Sequence, residues 1–409
     1  MDSLHNTNKS PLTLKNTKVL FKLAPLLCFF FLGCQTSNQK VSEIQPSSFH
    51  LQSRDGSYIS HTDPFMKARM NAPYFYLWLR KKEQKDLETK SLLQTQGIVG
   101  DSHFLNYSDW ISAKGGRILR LSDPDDHGPG PFFAEIIRFS TVALSSPYKL
   151  SAAELVDHYL IGLSGRPAPA TAEVKVIENL SEDESRLKQQ KYIKGLYTFE
   201  NDIYTFTKKA KSTPITEAEP DLKKYYSKIR RDLLFWLERS HFEPLLEGYS
   251  VKKDGGSAGY PRFHFLVEDE QKQIHLIEFK YQPPQPAVGF FNPKQPRFPQ
   301  RLESVEQSWI GEDLGTTFDA IDIEHDQTVS QFYIRERVKS AFDLEDIQNP
   351  EIMKKNILYL AQQIGYWSSK YQKTAVDEIS KNLLNSKLKS KTRAKLIALI
   401  EDYQHSLPQ

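Results

Sequence analysis

The stretch that decides the fold runs from Tyr249 to Tyr281: YSVKK (249–253), DGGSAG (254–259), PRFHFLVE (261–268) and QIHLIEFKY (273–281). Here the pattern changes from helical spacing to alternation, so three consecutive strands are expected, separated by the glycine-rich turn and by DEQKQ. Upstream, charged helical patterns cover about 182–210 and 217–240, and a capping box of Ser151 and Glu154 opens the helix LVDHYLIGL. Downstream, the six prolines between Gln282 and Gln300 demand irregular chain, followed by a helix at about 301–310 and the strand QFYIRERV. Two more helices are expected at about 350–371 and 374–404. A small sheet flanked by helical segments on both sides is an α+β arrangement.

Working outward, residues 63–95 alternate aromatic and basic side chains and read as helix with a break near Pro73. Two short apolar strands, Thr95 to Val99 and Arg117 to Leu121, each lead into carboxylates, and Phe132 to Leu144 is an amphipathic helix. The first strand ends in Gly100-Asp101-Ser102-His103-Phe104-Leu105-Asn106. The second ends in Ser122-Asp123-Pro124-Asp125-Asp126-His127-Gly128-Pro129-Gly130. Two carboxylates and an amide oxygen delivered to one edge suit a hard divalent cation and the phosphates it carries. On this reading Asp101 accepts a proton from an attacking hydroxyl, and Asn106 and Asp123 hold Mg²⁺ with Asp125 in support.

In DGGSAG, Gly255, Gly256 and Gly259 lack side chains that would keep backbone N–H groups from a phosphate, and Ser257 adds a hydroxyl. Lys280 at the end of the third strand could reach the same phosphates, and Glu303 or Glu306 on the following helix could pair with it. The same glycines also serve an ordinary hairpin turn.

The G-D-x-H-x-x-N and D-x-D-D blocks resemble the catalytic loop and metal segment of aminoglycoside phosphotransferases and other kinase-like small-molecule kinases. That resemblance implies Asp101 as catalytic Asp, Asn106 and Asp123 as metal ligands, and ATP or another nucleotide with Mg²⁺ as cofactors. It also implies a two-lobe kinase-like fold. Because the catalytic motifs precede the glycine-rich lobe here, that fold would be circularly permuted. A resemblance over nearly the whole mature chain is to the bacterial family called domain of unknown function 2252. It is carried by KARMNAPYFYLWLR (67–80), GIVGDSHFLN (97–106), LRLSDPDDHGPGPFFAEIIR (119–138), DGGSAG, the strand with Lys280, and FYIRERVKS (332–340). Pro124 and Asp126 depart from its D-F-D-E form, and Glu135 and Ile137 from its D-L-K-R. The alanine- and histidine-containing segment expected near 363–370 is missing, so the chain looks like a diverged member.

Two readings from other classes stand beside this one. Gly100-Asp101-Ser102 also resembles the start of G-D-S esterases, with Asp402 and His405 supplying the remaining triad members. A non-catalytic binding protein that keeps a kinase-like fold is the third.

The chain has 409 residues, 39% of them hydrophobic and 26% charged, which excludes a disordered or multispan membrane protein. Its first 33 residues carry Lys9, Lys15, Lys18 and Lys22, an apolar run from Leu23 to Leu32, and Gly33 before Cys34. A run of about ten residues is half of what spans a bilayer, so a signal peptide is expected at 1–33. The segment resembles a lipoprotein lipobox with Phe31 in the usual leucine position. It implies an acylated, palmitate-bearing Cys34 anchored in the cell envelope, with Gln35 favouring the outer membrane of a two-membrane host. Without that segment the formal charge falls from +3 to near neutrality, so no nucleic-acid partner is expected. Cys28 and Cys34 are the only cysteines, which leaves the folded part without disulfide or thiolate chemistry. The expected organisation is a tether at 34–55, a helical lobe with the catalytic and metal motifs at 56–246, a small sheet lobe at 247–340, and C-terminal helices at 341–409 that pack on the larger lobe. The substrate, a small molecule or a protein, is not specified by any of these residues.

Overall fold

In the computed structural model the described residues are 56–86, 95–251, 259–305, 309, 314–315, 317–342, 344–371 and 386–408, all within the compact unit Val41–Gln409. The lipobox, the tether and the turn residues Gly255, Gly256 and Ser257 lie outside them, as does Glu306.

The chain is α+β with a six-stranded antiparallel sheet. Strands are numbered in chain order: β1 Thr95–Ile98, β2 Tyr107–Ile111, β3 Arg117–Leu121, β4 Gly128–Pro131, β5 Tyr197–Glu200, β6 Ile203–Phe206, β7 Thr213–Pro214, β8 Glu243–Val251, β9 Pro261–Glu268, β10 Ile274–Gln282, β11 Phe318–His325 and β12 Thr328–Glu336. The large sheet has the order β11-β12-β10-β9-β8-β7, and β1-β4, β2-β3 and β5-β6 form separate two-stranded ladders. The three strands expected from the alternation are β8, β9 and β10. The sheet also takes in β11 and, ahead of position 247, β7 and the first residues of β8.

Alternation sends Phe263, Phe265, Phe279, Tyr281, Phe332 and Ile334 to one face, where they pack with Leu222, Tyr226, Ile229, Leu233 and Leu237 of the helix Pro220–Arg239. Register places Arg262 opposite Lys280 and His264 opposite Glu278, with Tyr333 and Arg335 beside them, on the other face. That second face is also buried. A polar face in an alternating strand is ordinarily solvated, but here the β3–β4 connection and the helix Phe298–Val305 cover it.

The helical body has its own core, in which Phe75, Trp78, Tyr159, Ile364, Leu396 and Tyr403 meet. The helices Ala152–Leu163 and Pro350–Tyr371 cross at Gly162 and Gly365, where a Cβ on Gly162 would lie 1.9 Å from the Gln362 carbonyl oxygen. Only glycine permits that approach. The helix Ser386–Ser406 joins the same core. The capping box at Ser151 and Glu154 is formed. Among the described residues no helix is long and apolar enough to cross a membrane.

The break expected near Pro73 is present, whereas the helix expected through 210 is shorter than its charged pattern. The first helical region breaks at Asn71, and Pro73 sits in the first turn of Ala72–Lys85, where its missing N–H costs nothing. The helix expected through 210 ends at Lys194, because Asn201 and Asp202 take left-handed φ values of 51° and 60° and turn the chain into the β5–β6 hairpin. The strands before the two carboxylate clusters do not pair with each other: β1 pairs with β4, and β3 with β2.

Candidate active site

Asp101 follows Gly100, whose φ is +87° and where an added Cβ would lie 1.8 Å from the Asp126 carbonyl oxygen. The turn is therefore reserved for glycine. Asn106 Nδ2 donates to the Asp101 carbonyl oxygen at 2.7 Å, and the Ser122 N–H donates to the Asn106 carbonyl oxygen at 2.8 Å. These two bonds tie the end of β3, and so Asp123, to the Asp101 turn.

The fully buried guanidinium of Arg138 holds Asp101 Oδ1, through Nε at 3.1 Å and Nη2 at 2.9 Å. Its nitrogens also donate to the carbonyls of Ala68 and Arg69 at the end of the helix Pro64–Met70, a position that favours a cation. Asp101 Oδ2 is left facing His103 Nε2 at 3.7 Å, beyond hydrogen-bonding distance. Burial, then the charges of Arg69 and Arg138, push the His103 pKa well below its usual value, so the imidazole is neutral. Ser102 is wholly buried with its hydroxyl 3.1 Å from the Tyr107 hydroxyl.

Lys280 comes from 157 residues along the chain and donates to Asp123 Oδ1 at 2.8 Å and Oδ2 at 3.0 Å. Its ammonium also pairs with Asp125 Oδ2. Burial disfavours the charge on Asp123, yet Lys280, Arg335 and Arg262 outweigh it and hold this carboxyl well below the usual range. Asp125 behaves oppositely: burial and the neighbouring Asp123 push it up to about 6 against the pull of Lys280. Beside this junction Glu278, fully buried, accepts from Arg335 Nε at 2.9 Å, with Arg262, Arg337 and His264 Nε2 at 3.2 to 3.4 Å. Arg335 also donates to the Ser122 carbonyl oxygen at 3.2 Å, which links this cluster to Asp123. A buried carboxylate needs such partners, since its desolvation is otherwise uncompensated.

The structure thus brings Lys280, Asp123 and Asp125 into direct contact and places Asp101 and Asn106 next to them. It does not pair Lys280 with Glu303, which is exposed, while Glu306 lies outside the described residues; from the helix Phe298–Val305 it is Arg301 that reaches in, donating to the carbonyls of Asp125 and His127 at 3.0 and 2.6 Å. Gly259, with φ +81°, lies just before β9, but its three companions in the turn are outside the described residues. The esterase triad is not assembled. His405 and Asp402 are exposed, Asp402 pairs with Lys82 at 2.5 Å, and Ser102 is inside.

Sequence reading missed Arg138, Glu135, Glu278, Arg262 and Arg335. Glu135 lies under the turn, accepts from the Gly100 N–H at 3.2 Å, and is pushed by burial up to about 8. The alternation of β9, β10 and β12 carried a signal for the other three, since it puts Arg262, Glu278 and Arg335 on the face of Lys280.

Mg²⁺ does not fit this arrangement of side chains. Both oxygens of Asp123 and one of Asp125 face the Lys280 ammonium. Among the described residues no cluster of three or more His, Cys, Asp or Glu side chains has metal-holding geometry. A cavity of about 510 Å³ opens between the helix Glu182–Lys194 and the start of β10, lined by Gln189, Tyr197, His275 and Glu336 among others. None of Asp101, Asp123, Asp125 or Lys280 lines it, and two of its polar groups already have partners, His275 in Asp269 and Glu336, and Gln189 in the Arg337 carbonyl. The ionic junction at Lys280, with its unusual charge environment, remains the candidate site. No protein-family model, no curated protein and no solved structure matches the chain.

Proposed function

We propose that this chain is a lipid-anchored envelope protein with a kinase-like, circularly permuted site for nucleotide binding and phosphoryl transfer. The observation that carries the reading is the meeting of Lys280 with Asp123 and Asp125 across 157 residues of chain. A basic strand residue is thereby set against the second carboxylate block, next to the turn of Asp101, as the motif resemblance implies. In the proposed reaction Asp101 Oδ2 takes the proton of an attacking hydroxyl. The oxygen bonds to the terminal phosphorus, and the bond to the departing nucleoside diphosphate breaks. Arg138 positions Asp101 by holding Oδ1, and Lys280 with Arg335 faces the phosphates.

One observation favours a second reading, ligand binding without transfer: Arg138 neutralises the carboxylate that would act as base. Binding and turnover of ATP by the full-length protein in detergent separate the two. The transfer reading expects phosphate release or transfer that falls about 10²–10⁴-fold in Asp101→Asn with binding retained. Binding with no turnover leaves the second reading, and no binding of any nucleotide removes both. Lipidation at Cys34 is tested by mass spectrometry of the mature N-terminus, where an unmodified residue elsewhere refutes it.

A further inference from the structure

A site built around a divalent cation keeps its carboxylates turned toward a space that the cation fills. Here that place belongs to a side chain. Lys280 is itself buried, and β10 delivers it in fixed register between Arg262 of β9 and Tyr333 of β12. Its ammonium contacts both oxygens of Asp123 and one of Asp125, which supplies the positive charge that two neighbouring carboxylates require. Among the described residues the connected ion pairs join Lys280, Arg262, Arg335 and Arg337 to Glu278, Asp123 and Asp125, four positive charges against three negative ones. The Asp123 side chain is 32% exposed, that of Arg337 24% and that of Arg335 19%, so the cluster opens at these three groups. Excess positive charge with low-dielectric walls draws an anion, and adding a metal ion beside Lys280 would be opposed by like charge.

We infer that this site binds the phosphates of its ligand without a divalent cation, Lys280 and Arg335 supplying the charge that Mg²⁺ supplies in metal-centred phosphoryl-transfer sites. The inference rests on the proposed nucleotide reading and specifies how that ligand is held. Asp123 is then a competitor of the phosphate for Lys280, whereas in a metal-centred site it would be a ligand that helps binding. The two arrangements give opposite signs for one substitution.

The test is calorimetric titration of ATP into the full-length protein in detergent, once with EDTA and once with Mg²⁺, repeated for Asp123→Asn. Binding in EDTA at least as tight as in Mg²⁺ is expected, with Asp123→Asn tightening it in EDTA by roughly five- to tenfold, the scale of one removed charge near the phosphate. Asp125 stays with Lys280 in that variant, and the comparison of the two buffers needs no variant at all. Binding that requires Mg²⁺, or that Asp123→Asn weakens, overturns the inference while leaving the nucleotide reading in place. Absence of binding in both buffers overturns the nucleotide reading itself, and the inference with it.

Discussion

The two faces of the large sheet are made by the same strands and are both buried, yet they obey different rules. Phe279 points into an apolar layer against the helix Pro220–Arg239, while its neighbours Glu278 and Lys280 point into a layer of charges. On the first face stability depends on filled volume, and similar side chains can replace one another. On the second it depends on each charge keeping its partner, because removing one leaves another buried and uncompensated. The difference teaches that burial alone does not identify core. What separates scaffold from candidate site here is the chemistry that burial forces into pairs.

Glu278→Ala should have the largest effect, roughly 3–5 kcal/mol of lost stability in denaturant unfolding, since it removes the carboxylate that three arginines share. A loss under about 1 kcal/mol would erase the distinction between the faces. Next comes pH. Burial raises the Glu135 carboxyl to about 8, above its value in the unfolded chain, so its contribution is full at acid pH and is lost as pH rises through about 8. Glu135→Gln should therefore remove part of the alkaline loss, a few kcal/mol at most, when melting at pH 6 and pH 9 is compared with the parent protein. An unchanged alkaline slope would show that Glu135 is not held protonated. Phe279→Leu, on the apolar face, should cost about 1.5 kcal/mol or less and leave the pH profile and any ATP affinity unaltered. A shifted affinity would mean that the faces are coupled. Smallest is Tyr225→Phe, which removes the 2.9 Å bond to Ser330 and should cost about 0.5–1.5 kcal/mol by the same unfolding measurement.

Much of the architecture could be read from local patterns. Strands β8, β9 and β10, the helix Ala134–Leu144, the capped helix Ala152–Leu163 and the helix from Pro350 to Tyr371 follow from periodicity and caps. The β5–β6 hairpin was missed because YTFENDIYTF lies in a charged region read as helix, although Asn201-Asp202 carries a turn signal. In the candidate site, Asp101, Asn106, Asp123, Asp125 and Lys280 could be nominated from their blocks. Their pairing could not, since Lys280 has no local feature that selects Asp123 over Glu303.

The amino-acid order by itself determined which residues alternate along β9, β10 and β12, and hence which side chains share a face. It also determined that glycine occupies position 100, where the chain turns with positive φ. Only the tertiary structure decided that the charged face is covered and that Asp123 and Asp125 close on Lys280. Periodicity is a property of neighbouring residues and survives in any context. Burial of a charged face and the choice of a counterion depend on what a segment 157 residues away brings to it, and on the desolvation that makes pairing obligatory.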